Sequence, residues 1–178
     1  MYGGGLSVKL SRDCKAIQIP NGEMMTLEAG HEVYITQVLG GMFTVETEWG
    51  YLVRIDGTDA DALGQEIPKE SQKPDWSKFS NLEEAAWSQL KTCYDPEIPV
   101  NIVELGLIYK LELVDSHLQV QMTLTAPGCG MGEVLRTDIE TKMMAIPGIE
   151  TVTIDLVFDP AWSSEMMSDA ARLQLGMM

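Results

Sequence analysis

Between Leu107 and Phe158 the chain changes its hydrophobic period twice, and this constrains the fold more than any other feature. Leu107, Tyr109, Leu111 and Leu113 alternate with polar Lys110 and Glu112. After Asp115-Ser116-His117, Leu118, Val120, Met122 and Leu124 alternate against Gln119, Gln121, Thr123 and Thr125. A period of two with one polar face predicts an antiparallel hairpin wetted on one side. Met131, Leu135, Ile139, Met143 and Ile146 then recur at helical spacing, with Glu133, Arg136, Asp138 and Glu140 outside, until Pro147-Gly148 ends the helix. Val152, Ile154, Leu156 and Phe158 form a third strand against Thr151, Thr153 and Asp155. A strand–helix–strand unit crosses over right-handed, so the third strand should lie parallel to the second.

Ser80-Asn81-Leu82-Glu83 predicts a capping box opening a helix to about Thr92, with Cys93 on its apolar side. Ser163 is expected to cap a last helix that Gly176 ends. The predicted class is α+β: residues 80–178 form a small mixed sheet with helices on one face, preceded by a small β-rich domain over residues 1–66.

In that first domain Val33–Leu39, Met42–Thr47 and Tyr51–Ile55 are strand candidates, joined by Gly40-Gly41 and Trp49-Gly50. So small a β-unit is expected to bury little alone and to lean on the second domain or on a copy of itself. Residues 67–79, carrying Pro68 and Pro74 among Lys, Glu, Ser and Gln, are expected to be a linker.

A net charge of −15 over 178 residues narrows the partners. Residues 1–70 hold 5 basic and 11 acidic side chains and residues 71–178 hold 7 and 16, so both halves are acidic. That argues against nucleic acid and against anionic membrane surfaces, and it suits solubility or a basic protein partner. No apolar run approaches a membrane span, and Met1-Tyr2-Gly3-Gly4-Gly5 lacks the regions of a signal peptide. The three cysteines, Cys14, Cys93 and Cys129, are widely spaced with no Cys-x-x-Cys. A disulfide scaffold and a self-contained zinc site are therefore not expected, and a reducing cytoplasm fits best.

Cys129 is the first candidate for chemistry. It lies in Thr125-Ala126-Pro127-Gly128-Cys129-Gly130-Met131-Gly132, between a strand and a helix start. Unpaired N–H groups and the helix dipole favour a thiolate there, the form that binds metal or attacks an electrophile. Gly128, Gly130 and Gly132 are expected to leave room for a bulky ligand. Cys93 and Cys14 are expected to be structural.

Asp95-Pro96-Glu97, followed by Asn101 and Glu104-Leu105-Gly106, is the second candidate. It has the residues to orient a metal ligand, to bond the Cys129 turn or to receive a partner, although spacing alone favours plain turn chemistry. Asp56-Gly57-Thr58-Asp59-Ala60-Asp61 has the wrong order for a calcium loop and is expected to be a surface turn. His31 and His117 sit beside turn residues and are expected to be exposed. The methionine pairs Met143-Met144 and Met166-Met167 are expected to fill core space.

Four ordered motifs resemble the PaaD-like metal–sulfur cluster biosynthesis domains: Asp95-Pro96-Glu97-Ile98-Pro99-Val100-Asn101-Ile102 through Tyr109, Met122 through Cys129, Pro147-Gly148-Ile149, and Asp159-Pro160-Ala161-Trp162 with Met166-Met167-Ser168. The earlier stretch, with Arg12-Asp13-Cys14 and Ile35 through Gly41, is similar to the SufT subgroup. The resemblance implies a cytoplasmic accessory factor, not an enzyme, serving iron–sulfur assembly proteins and apo iron–sulfur proteins. It implies Cys129 as the metal ligand, Asp95, Pro96, Glu97, Thr125, Pro127, Gly128 and Gly130 as its functional loops, and a transient iron–sulfur cluster or iron as cofactor. Many members have proline after that cysteine, where this chain has Gly130.

One thiolate is too few for a closed four-cysteine cluster site. A homodimer mate, a small thiol or the recipient would complete it. Two other readings are an interaction adapter without metal and a thiol-dependent enzyme, the latter needing a base that no histidine supplies convincingly.

Overall fold

A computed structural model describes residues 5–95, 98–126 and 131–177. The chain divides into two compact units, Met1–Pro74 and Asp75–Met178. The first is a six-stranded antiparallel sheet of β1 (Leu6–Lys9), β2 (Cys14–Gln18), β3 (Met24–Leu27), β4 (Glu32–Leu39), β5 (Met42–Thr47) and β6 (Leu52–Asp56), in the order β1-β4-β5-β6-β2-β3. Alternation along the strands buries Val33, Phe43, Val45, Val53 and Ile55. Leu10, Ala16, Leu27 and Leu63 complete the cluster. The unit thus has a core of its own, where the sequence predicted little burial. Leu10, the added strands β2 and β3 and the 3-10 turn Gly57–Leu63 supply the missing apolar groups.

That turn is the stretch that superficially suggested calcium. Its acids are already used: Arg12 pairs with Asp59 at 2.9 Å and Asp61 at 2.7 Å, and the bonded guanidinium holds the Asp61 carboxyl below its usual range. His31 corrects the expectation of exposure. It is half-buried, bonded to Glu48, with its ring 4.7 Å from Trp49.

The second unit has helices α1 (Leu82–Leu90), α2 (Met131–Met144) and α3 (Asp169–Gln174) and strands β7 (Ile108–Val114), β8 (His117–Met122) and β9 (Thr151–Leu156). Strands β7 and β8 pair antiparallel, β8 and β9 pair parallel, and the sheet order is β7-β8-β9. Leu118, Val120, Met122 and Ile154 bury on one face against Leu135, Ile139 and Met143 of α2 and Ala86 and Leu90 of α1. The opposite face is polar, and Gln119 donates to Asp155 there at 3.1 Å. His117 is half-buried on this face, 2.6 Å from Thr151 and 3.2 Å from Thr153, which again corrects the expected exposure.

Two helix starts differ from expectation. The cap of α1 is Asn81, one residue later than predicted, because its side chain accepts from the Glu84 N–H at 2.8 Å while Glu84 reaches back to the Ser80 N–H at 2.9 Å. The last helix is broken in two. Ser164–Met166 is a 3-10 turn, and Ser168 rather than Ser163 caps α3 by accepting from the Ala171 N–H at 3.1 Å.

The segment leading into α3 is bonded to the loop before β7 and to the start of β7 itself. Trp162 Nε1 donates to Leu105 O at 2.7 Å, Tyr109 Oη to Pro160 O at 2.7 Å, and Ser168 N to Glu104 O at 2.8 Å. Contact is closest at Gly106, whose φ is +80° and where a Cβ would stand 2.3 Å from Met166 O. Gly176 has a similar φ of +71° with nothing within 4 Å of a Cβ. Gly176→Ala should therefore cost only the left-handed backbone, about 1 kcal/mol. Gly106→Ala should cost at least about 2 kcal/mol more in urea denaturation, because the neighbour is backbone that cannot yield. Equal costs for the two would contradict this packing.

Candidate functional site

The second unit brings Asp95 to the strand that leads into the Cys129 turn. Asp95 follows α1 and is only 5% exposed. Its Oδ1 accepts from the Ile98 N–H at 2.9 Å, which closes the acidic loop, and its Oδ2 accepts from Thr125 Oγ1 at 3.1 Å. Turn chemistry and contact with the Cys129 segment are thus both present in one carboxylate. A buried carboxylate is tolerated only when hydrogen bonds replace its water.

The frame around Asp95 is backbone. Tyr94 and Asn101 form an isolated bridge, and Ile102 N donates to Cys93 O at 2.9 Å. Asn101 Oδ1 accepts from Val103 N at 3.1 Å and Glu104 N at 3.0 Å, so the chain turns directly toward Gly106 and β7. On the far side, Lys142 of α2 donates to Thr92 O at 3.1 Å and Thr92 Oγ1 at 2.6 Å, tying the end of α1 to the last turn of α2. Nothing in the sequence periodicity signals this tie, because Lys142 reads as an ordinary solvent-facing position.

Pro96, Glu97, Pro127, Gly128, Cys129 and Gly130 lie outside the described residues. Among the described residues no group of three or more His, Cys, Asp or Glu side chains is placed to hold a metal ion, and no helix is long and apolar enough to cross a membrane. Cys93 is buried, with its Sγ 3.6 Å from Gln89 O. Cys14 is buried in the first unit, and desolvation pushes its thiol pKa up, with Asp59 adding to the rise. Gly132 is buried, and a Cβ there would stand 2.7 Å from Leu124 Cδ1, so this glycine packs against the segment after β8. Thr123, which sequence reasoning passed over as a polar-face residue, is fully buried.

This α+β unit, with a buried acid bonded to the strand before a cysteine turn, has known counterparts. The family described as "Iron-sulfur cluster assembly protein" matches residues 83–156, which fall inside Asp75–Met178. A Porphyromonas gingivalis protein named Fe-S protein maturation auxiliary factor is 44% identical over 101 residues, 56% of this chain and 96% of that protein. The Staphylococcus aureus Fe-S protein maturation auxiliary factor SufT is 40% identical over 83 residues, 46% of this chain and 94% of its own length. A crystal structure of a domain of unknown function, DUF59, from Bacillus anthracis superposes with a TM-score of 0.52 at 28% identity, over 58% of this chain and 100% of that one. The chain belongs to the iron–sulfur cluster assembly protein family. Both relatives are matched nearly end to end by about half of this chain, and the SufT-like stretch from Arg12 to Gly41 lies outside the family match.

The bond between Asp95 and Thr125 is measurable as a coupling. Asp95→Ala should destabilise the chain by about 3 kcal/mol and Thr125→Val by about 1–2 kcal/mol. The double variant should fall short of their sum by about 1–2 kcal/mol in denaturant titrations, whereas strict additivity would show that the two groups do not interact.

Proposed function

We propose that the chain is an accessory factor that helps assemble iron–sulfur clusters or deliver them to apo-proteins, with Cys129 as the transient ligand of the cluster or iron. Family membership supports the cluster-related role, and the two relatives named above are maturation auxiliary factors. The observation that carries the site assignment is the buried Asp95 carboxylate bonded to Thr125, four residues before Cys129. It supports reading the acidic loop and the segment that leads to Cys129 as one constellation.

In this reading Asp95 holds the strand end in register, and Pro96 and Glu97 present the loop to a partner. Pro127, Gly128 and Gly130 let the turn pass close to the cargo. Cys129 precedes α2 by two residues, and a helix dipole favours negative charge near its start. One thiolate leaves the cargo's other positions to a second copy of the chain, a small thiol or the recipient, and open coordination suits transfer. The partners are iron–sulfur assembly proteins and apo iron–sulfur proteins, and the site is cytoplasmic.

The chain is not an enzyme in this account. A nucleophilic role for Cys129 needs a base within reach. His117 lies at the start of β8, about 17 Å of strand from Met122 at its end, and is engaged with Thr151 and Thr153.

Replacing the chromosomal copy with Cys129→Ala tests the assignment. The variant should keep its circular dichroism and melting temperature, while the activity of dependent iron–sulfur enzymes drops to the level of a deletion strain. Full complementation by Cys129→Ala would exclude the thiol and leave the adapter role.

A further inference from the structure

Trp76 and Phe79 stand in the stretch that reads as a linker, yet both pack against the core of the second unit. Asp75 fixes them there. Its Oδ1 accepts from Ser77 N at 3.1 Å and from Ser77 Oγ at 2.6 Å, which caps the 3-10 turn Trp76–Lys78. The two aromatic rings lie 6.2 Å apart with their planes inclined at 47°. With Leu82 and Ala85 of α1 and Ile146 and Pro147 after α2 they line a groove of about 190 Å³. Gly148, with a φ of +101°, lets the turn after α2 close onto α1, since a Cβ there would stand 3.2 Å from Leu82 Cδ2. Trp76, Phe79 and Leu82 lie ahead of the family match, which covers residues 83–156.

Size, lining and rim each bear on the occupant. A void of about 150 Å³ takes one benzene, and small-molecule sites run to about 300–1,000 Å³, so this groove suits one large side chain. Trp76 is half-buried, and among the described residues its indole N–H has no hydrogen-bond partner, whereas that of Trp162 is bonded to Leu105 O. An apolar surface with an open indole donor is the composition of a protein-binding surface. The segments that build the groove, residues 75–85 and 146–150, carry Asp75, Glu83, Glu84 and Glu150 against the single cation Lys78, and all five are exposed. Among the described residues the Glu83 and Glu150 side chains have no hydrogen-bond or ion-pair partner. An aliphatic side chain gains nothing from such a rim. A guanidinium gains twice, by stacking on an aromatic face and by meeting carboxylates.

We propose that this groove docks a protein segment that inserts one arginine side chain, its guanidinium against the Trp76–Phe79 pair and its charge answered by the acidic rim. The proposal does not rest on the cluster-handling reading of Cys129.

The full chain is titrated at low salt with a seven-residue peptide, blocked at both ends, that carries one arginine amid serine and glycine. Counterparts carry norleucine or glutamate in its place, and amide, methyl and indole NMR signals are followed. The Trp76 indole signal, identified with Trp76→Phe, and the signals of Leu82 and Ile146 should move together as the arginine peptide saturates. The norleucine peptide should bind about fivefold more weakly, and the glutamate peptide more weakly still. Trp76→Leu should weaken the arginine peptide about fivefold, and Glu83→Lys, at an exposed position, about threefold.

Norleucine bound as tightly as arginine overturns the proposal, because the groove is then an apolar slot. So does an arginine peptide that moves none of the three signals, or one that moves signals only on other acidic surfaces. Where Trp76→Leu loses the native spectrum, Glu83→Lys decides: an affinity equal to wild type overturns the proposal.

Discussion

A carboxylate that is 5% exposed and sits between two segments thirty residues apart must be met by donors from both, and Asp95 is met by the Ile98 amide and the Thr125 hydroxyl. Both bonds help replace the water that burial removes from this group. The geometry of the second unit follows from satisfying this group. The chain leaving α1 must turn sharply, so Asn101 caps its own loop and Gly106 accepts a left-handed φ beneath Met166. The chain beyond β8 runs so that the Thr125 hydroxyl reaches the acid.

Much of this was legible in the sequence because it is periodic. The alternation from Leu107 to Thr125 and the helical spacing from Met131 to Ile146 correspond to β7, β8 and α2, and the parallel pairing of β9 follows from the crossover. Asp95 and the Thr125–Cys129 turn were singled out as candidates by residue type and motif. What was not legible depends on distant partners. No local pattern distinguishes Ser80 from Asn81 as a cap until Glu84 chooses its acceptor. Ser163 and Ser168 are equally good caps in sequence, and only the bonds of Ser168 to Glu104 select the second. Both histidines sit in turn-like sequence yet are engaged by residues distant in the chain, Glu48 for His31 and Thr151 and Thr153 for His117. Gly132 reads as loop chemistry but answers to Leu124.

Acidity is similarly split between local use and surplus. Asp59 and Asp61 are spent on Arg12, and Asp95 on the loop and strand, so these acids shape the chain. With a net charge of −15 most carboxylates have no cation to pair with, and they set a field that favours basic partners. In the function proposed above, such long-range attraction would help the chain meet recipient proteins without a contact-specific pocket.

The central claim is that this turn holds iron and sulfide through the Cys129 thiolate, beside a strand end anchored by Asp95. Anaerobic purification followed by iron and sulfide analysis of wild type, Asp95→Ala and Cys129→Ala tests it most directly. The account predicts matching iron and acid-labile sulfide in wild type, a reduced content in Asp95→Ala and none in Cys129→Ala. Equal content in wild type and Cys129→Ala would contradict it.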